Sequence, residues 1–512
     1  MHRLAGLGAR AEQDPSGTAL VDDSSSLTWA EVARQVDAVA GQLLAVAVGP
    51  DDRVAVVGEN RGPTVLTHVA GILAGVGTVA VSRQLTAREM AEQFLDAGVV
   101  AVVTGPSALP AAAEAAKEAG IETVVVHGAA DAPGTAVGWD AWTGSRRTLP
   151  GDLDRPARPL LVYTSGTTGK ARGTQVRWAP TTITSARAYA EVLASRSGFP
   201  AGPHLVVGPL QHNGPLTSVR HLLSGEPVVV LGRFDAERVL ALVAEHRVTS
   251  SVMVPTHFSR LLALPENARS RYDVSSLRNV AHTGSACPAD VKRAMIDWFG
   301  PVLVESYGGS EIGTVCRITS EEWLSHPGSV GRVVPPFEAV VLDDGEELPP
   351  GEVGVLGFRT PPGREVSFHG DEEKTRKAYL APGVATLGDV GYVTLNGFVY
   401  ITDRIADMVL SGGVNLYPAE SERVLVEHPA VAEVAVIGVP DGDLGEALRA
   451  LIVPAGDLEL DELKAFCRER LASHKCPKTF ELVDALPRNA MGKLDKRALR
   501  RPYWDGDRTI AG

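Results

Sequence analysis

Valine-rich runs too short to be helices recur along this chain, each bounded by turn residues. Arg53–Asn60 reads RVAVVGEN, 99–105 VVAVVTG, 122–128 ETVVVHG, 227–234 PVVVLGRF and 250–256 SSVMVPT. Such runs read as buried strands, and stretches with helical periodicity stand near each of them. One helix marks its own start: Thr28-Trp29-Ala30-Glu31 has capping-box spacing, and EVARQVDAVAGQLLA continues it amphipathically. This alternation predicts an α/β fold, a large N-terminal domain of mixed sheets flanked by helices. DDGEELPPGEVGVLGFRTPPG at 343–363 departs from it and reads as hairpins of a β-rich subdomain. After ITDRIADMVLSGG (Ile401–Gly413) a fresh βαββα pattern begins. The junction between two domains is accordingly expected within Ile401–Gly413, the second domain small and α+β.

At 512 residues the chain is too long for one compact domain, and 44% hydrophobic with 22% charged residues is an ordinary globular composition. Cys287, Cys316, Cys467 and Cys476 show neither metal-site spacing nor a C-x-x-C pair, which fits a reducing cytoplasm. MHRLAGLGARAEQDP holds no apolar core of signal-peptide length, and no apolar run approaches a membrane span. A net charge of −13 argues against nucleic acid as a partner. That charge is uneven. Lys464–Arg501 carries eleven Lys/Arg against four Asp/Glu, so +7 there leaves −20 elsewhere. A basic segment beside an acidic body attracts anionic ligands.

LVYTSGTTGKARGTQV (Leu161–Val176) passes from apolar into hydroxyl and glycine and then into charge. Glycines let backbone N–H groups turn toward one point, and the hydroxyls of Thr164, Ser165, Thr167 and Thr168 add donors. With Gly166, Gly169, Lys170 and Arg172, the stretch suits phosphate oxygens. A Ser/Thr/Gly cluster is most often a linker, but a linker rarely ends on a basic pair directly after a buried strand. It is no Walker loop: two residues separate Gly166 from Gly169, and Lys170 is followed by Ala171. Tyr163-Thr164-Ser165-Gly166 likewise fails the G-x-S-x-G nucleophile elbow.

The stretch closely resembles the phosphate loop of the adenylate-forming superfamily, which includes acyl-CoA synthetases, peptide-synthetase adenylation domains and firefly luciferases. That loop reads T-S-G-T-T-G-x-P-K-G; here Ala171 stands for the proline and Arg172 for the second lysine. Further segments follow in family order. PLQHNGP (Pro209–Pro215) is similar to the segment whose aromatic or His side chain gates the acyl pocket, which points to His212. HTGSACP (His282–Pro288) resembles the turn beside adenine and acyl group, with Gly284, Ser285 and Ala286 as a variant of G-G-A. SYGGSE (Ser306–Glu311) resembles Y-G-x-T-E. The resemblance lays Tyr307 against adenine, with Ser306 and Gly308 beside it, and gives Ser310 the α-phosphate and Glu311 the Mg²⁺.

ATLGDVGYV (Ala385–Val393) is similar to the family's T-G-D segment, which implies Asp389 on the ribose hydroxyls and Arg404 as a second ribose or phosphate contact. SGGVNLYPAE (Ser411–Glu420) resembles the loop over which pantetheine reaches the carboxyl carbon, with Gly412 and Gly413 permitting its approach. LPRNAMGKLDKRAL (Leu486–Leu499) matches the terminal G-K motif; Lys493 would bridge carboxylate and α-phosphate, and Lys478 would meet a CoA phosphate.

The resemblance lies closest to free-standing bacterial acyl-CoA ligases. It implies an adenylate-binding domain over 1–403, a mobile domain over 404–512 and a hinge near 403–407, where Ala406 replaces the usual Asp or Lys. The implied reaction joins a fatty, aryl or polycyclic carboxylic acid to coenzyme A through acyl-AMP, with ATP, Mg²⁺ and CoA, in a monomer or homodimer. The alternative is a ligase that takes preformed acyl-adenylate and performs only thioesterification; Ala171, Arg172 and Ser310 favour it, and Glu311, Asp389 and Lys493 oppose it.

Overall fold

The computed structural model describes residues 5–128, 134–144, 147–150, 155–164, 172–176, 178–195, 197–405, 407–411, 414–442, 444–488 and 494–504. By compactness the chain divides into two units, Met1–Phe337 with Thr360–Lys377, and Glu338–Arg359 with Ala378–Gly512.

In the first unit the valine-rich runs become strands. One sheet runs, in spatial order, Val137–Gly138, Thr123–Val126, Val99–Thr104, Arg53–Gly58, Gly77–Ser82, Leu161–Thr164 and Arg172–Gln175. Its neighbours are parallel except the last pair, whose antiparallel register sets Leu161 against Gln175 and Thr164 against Arg172. Arg53–Gly58 is buried at every position, as the apolar run Val54–Val57 in a parallel sheet must be, and Arg53 at its start donates to Ala97 O at 2.8 Å.

A second sheet has a parallel centre made of Leu303–Gly309, Asn279–His282, Ser250–Met253, His204–Val206, Val228–Val230 and Thr18–Asp22. Antiparallel strands flank it, Gly313–Thr319 and Ser329–Val333 on one side and Ser25–Thr28 on the other. The expected capping box forms: the Glu31 N–H donates to Thr28 Oγ1 at 3.3 Å, and the Thr28 N–H donates to Glu31 Oε2 at 2.8 Å. Helices Trp29–Val46, Gly62–Ala74, Ala186–Ala194 and Asn213–Leu223 share one core with both sheets, Val36, Leu66, Leu193 and Leu222 packing with Val54, Val103, Leu20 and Val206. Each fully buried Val or Leu of this kind contributes about 1.5–3 kcal/mol.

The second unit contains the hairpin strands expected near 343–363. Glu346–Glu347, Glu338–Asp343, Gly354–Arg359, Val384–Val393 and Phe398–Arg404 form an antiparallel sheet in that order. A further sheet combines Val414–Leu416, Val409–Ser411, Gly445–Pro454 and Val431–Asp441, with Thr479–Leu482 parallel to Gly445–Pro454. Alternate residues serve its two faces. Val436, Leu448 and Ile452 pack against helices Pro418–Leu425 and Leu460–Arg470, whereas Ala435, Ile437 and Leu451 meet Leu486, Leu494, Leu499 and Tyr503.

Candidate active site

Ligands of parallel sheets gather beyond the carboxyl ends of the strands, where loops and helix N-termini leave backbone groups unpaired. In the first sheet Leu161–Thr164 ends at that edge, and the chain returns as Arg172–Gln175. Ser165, Gly166, Thr167, Thr168, Gly169 and Lys170, together with the side chains of Thr164 and Arg172, lie outside the described residues. The stems of this loop are fixed. Tyr163 Oη donates to Asp96 Oδ2 at 2.6 Å, and the His369 N–H donates to Gly173 O at 2.8 Å.

The second sheet delivers three more sequence-predicted segments to its own carboxyl edge. Met253 pairs in register with His282, and His282 with Glu305. Gly284, Ser285 and Ala286 therefore leave the sheet beside Ser306 and Tyr307. His212 caps the start of helix Asn213–Leu223, where a Cβ on Gly214 would stand 3.0 Å from Val252 and 3.9 Å from Thr283. Gly308 sits at a bulge where a Cβ would collide with the Gly313 carbonyl, so only glycine lets the strand turn through Ser310 and Glu311. The Glu311 carboxylate folds over Gly309.

No sequence reasoning pointed to Asn60, which joins these edges. Its Nδ2 donates to Gly208 O at 2.9 Å and Leu231 O at 3.1 Å, while its Oδ1 accepts the Leu210 N–H at 3.0 Å. Gln211 Nε2 adds a longer bond of 3.4 Å to Ser82 Oγ. The segment leading to His212 is thus tied to the ends of Arg53–Gly58 and Gly77–Ser82, the latter a neighbour of Leu161–Thr164. The available signal was a polar residue just past a buried parallel strand.

In the second unit Asp389 and Arg404 face each other across adjacent strands, Asp389 Oδ1 lying 3.0 Å from Arg404 Nε. Burial pushes the neighbouring Asp403 carboxyl up to about 6, against the pull of the Ala419 N–H at 2.9 Å and of Lys496. Lys478 is half-exposed and pairs with Asp441 at 2.9 Å. Gly412, Gly413, Lys493 and Ala406, in the segment expected to be a hinge, lie outside the described residues. Arg488 and Leu494, which flank the Lys493 segment, form an antiparallel bridge.

Magnesium takes one or two carboxylates and fills its octahedron with phosphate oxygens and water. Among the described residues no group of three or more His, Cys, Asp or Glu could hold a metal ion by itself. Glu311, its carboxylate folded over Gly309, is a hard oxygen donor of the kind such an ion takes.

A family model described as "AMP-binding enzyme" matches residues 7–363, and one described as "AMP-binding enzyme C-terminal domain" matches 420–493. A feruloyl-CoA synthase from Amycolatopsis sp is 34% identical over 98% of this chain and 100% of its own. A 3-[(3aS,4S,7aS)-7a-methyl-1,5-dioxo-octahydro-1H-inden-4-yl]propanoyl:CoA ligase from Rhodococcus jostii is 32% identical over 94% of this chain and 95% of its own. Among solved structures, the o-succinylbenzoate CoA synthetase of Bacillus subtilis, in complex with its acyl-adenylate intermediate, superposes with a TM-score of 0.78. It is 28% identical and covers 98% of both chains.

Proposed function

Since the chain belongs to the AMP-binding enzyme family of the adenylate-forming superfamily, we propose that it ligates an apolar carboxylic acid to coenzyme A through an acyl-AMP intermediate. Joining an acid to CoA is what the names of both curated relatives above state; the apolar acid and the residue roles are our reading. One observation carries it. The phosphate-loop stems, His212, Gly284–Ala286 and Ser306–Glu311 all stand at the carboxyl edges of two sheets that Asn60 joins.

A thiol does not displace oxide from a carboxylate at neutral pH, so the acid must first be activated. Its oxygen attacks the α-phosphorus of ATP, and pyrophosphate departs into the loop Thr164–Gly173. Lys493 offsets the repulsion between carboxylate and phosphate, and Ser310 donates to the α-phosphate. Magnesium bound with Glu311 would neutralise phosphate charge. Tyr307 lies against adenine, and Asp389 with Arg404 holds the ribose. The CoA thiol then attacks the acyl carbon, AMP leaves, and the thioester forms. Gly412 and Gly413 admit pantetheine in this second step, with Lys478 meeting a CoA phosphate. The two steps need different residues of the C-terminal region, which turns about 403–407 between them.

The relatives named above are a feruloyl-CoA synthase and an indenyl-propanoyl ligase, so aryl and polycyclic acids head the substrate panel, followed by fatty acids. The four free cysteines favour a cytoplasmic site of action, and among the described residues no helix is long and apolar enough to cross a membrane. The test measures pyrophosphate, AMP and acyl-CoA separately across that panel. Release of all three with one acid supports the reading. Acyl-CoA formed from synthetic acyl-adenylate but never from acid and ATP would establish the thioesterification-only alternative.

A further inference from the structure

Beneath the predicted adenine-side segments lies a polar cluster that the ligation chemistry does not use. Lys292, on helix Ala289–Phe299, is 1% exposed, and its Nζ lies 2.5 Å from Glu305 Oε2. The same ammonium stands 4.7 Å from the centre of the Trp323 ring. His282 is fully buried, its Nε2 is 3.8 Å from Glu305 Oε2, and neither ring nitrogen has a hydrogen-bond partner. Burial lowers the His282 pKa to about 3 and lifts the Cys287 thiol to about 12, so both stay uncharged at neutral pH. Burial likewise pulls Lys292 below the ordinary lysine value and Glu305 above the ordinary carboxylate value, opposing the ion pair their contact favours.

A buried ion pair adds little net stability over apolar residues of similar volume, because desolvation offsets its attraction. What it supplies is a directional contact. The positions of the partners show what is being directed. His282 immediately precedes the turn that carries Gly284–Ala286, and Lys292 stands on the helix that follows it. Glu305 immediately precedes Ser306 and Tyr307.

We propose that Lys292 and Glu305, with His282 beside them, are positioning residues that fix Ser306–Glu311 against the Gly284–Ala286 turn. Nucleotide affinity in this chain then depends on an ion pair that never touches the nucleotide. The dependence on nucleotide rests on the function proposed above; the fixing of the segment does not.

The test compares Lys292→Met, Glu305→Gln and the double variant with the wild-type chain. The single variants are expected to melt lower, since each disturbs a buried group's pairing, and the double variant to regain most of the loss. In the ligand-free double variant, amide hydrogen exchange over 306–311 is expected to quicken about tenfold, the size of coupling usual for residues in direct contact. Calorimetric titration with AMP is expected to show about tenfold weaker binding. Wild-type exchange and wild-type AMP affinity in the double variant would overturn the proposal, leaving the pair as packing alone. Failure of the wild-type chain to bind AMP would instead sink the nucleotide reading, while the exchange comparison still decides the positioning. Should the double variant not accumulate, Glu305→Gln decides, being isosteric but without the charge that pairs with Lys292. Faster exchange confined to 306–311 supports the proposal, and unchanged exchange overturns it.

Discussion

Asp389 and Arg404 hold each other, carboxylate to guanidinium at 3.0 Å across neighbouring strands. Only the acid is buried: its side chain is 4% exposed and that of Arg404 63%. Arg404 occupies Oδ1. Replacing Asp389 by Asn keeps the shape and removes the charge that two ribose hydroxyls would meet. AMP should bind ~10–100-fold more weakly, since hydrogen bonds to charged groups are worth roughly 1.5–3 kcal/mol. Calorimetric titration with AMP checks this; unchanged affinity would remove Asp389 from the nucleotide site.

Asn60→Ala would leave the carbonyls of Gly208 and Leu231 and the N–H of Leu210 without their partner. A buried group left unpaired costs about 1–3 kcal/mol, and water repays part of that at a half-buried site. A stability loss of about 2–4 kcal/mol is expected in urea unfolding. ATP–pyrophosphate exchange should slow as well, because the segment leading to His212 loses its tie. Normal exchange in a destabilised variant would show that the joint serves folding alone.

Lys493→Ala should cut adenylation by ~10²–10⁴-fold, the usual effect of one charge aligned on a transition state. Thioester formation from synthetic acyl-adenylate should survive. Gly413→Trp should do the reverse, giving a burst of acyl-AMP and no acyl-CoA. Equal losses in both half-reactions, for either variant, would contradict the division of labour.

Acid should weaken the first unit before the second. Burial lowers His68 and His282 to about 3 and His127 and His257 to about 4. In the unfolded chain each binds a proton near pH ~6.5. The stability these neutral rings support is full above that pH and is lost as pH falls toward 4, by about 1.4 kcal/mol per pH unit for each. Asp403 in the second unit runs oppositely. Its carboxyl rises from 3.8 to about 6, so its contribution is present below 3.8 and is lost as pH rises through 6. Urea unfolding between pH ~7.5 and ~5 tests both directions, and His68→Gln should flatten the first-unit slope by about 1.4 kcal/mol per pH unit. An unaltered slope would mean that His68 does not titrate as its burial requires.

What could be read from sequence was local or was a motif. The Thr28–Glu31 box and the Arg53–Gly58 strand depend on neighbours a few positions away, and both formed as expected. Tyr307 and Gly284 were singled out because their segments resemble family motifs. Which strands adjoin was not legible, since Leu161–Thr164 pairs with Gly77–Ser82 across a long stretch of chain. Asn60 was missed for the same reason: its partners are remote, and a lone Asn after a strand looks like a turn. Lys292 was missed although a signal existed, a lysine on the helical face of Met295, Ile296 and Phe299. One charge on an apolar face asks for its opposite, and Glu305 waited in the next strand. Lys478, read as meeting a CoA phosphate, is paired with Asp441 in the folded chain.

The Asn60 joint also bears on how ligases of this kind can be recombined. Its partner at Gly208 is 148 positions downstream, so any crossover between the two separates halves of one hydrogen-bonded corner. A chimera that takes residues 208–231 from a parent with a different residue at position 60 inherits a mismatched corner, however well each fragment folds. Breakpoints before residue 60 or after residue 231 keep the corner whole, and libraries built on those boundaries should yield more active members.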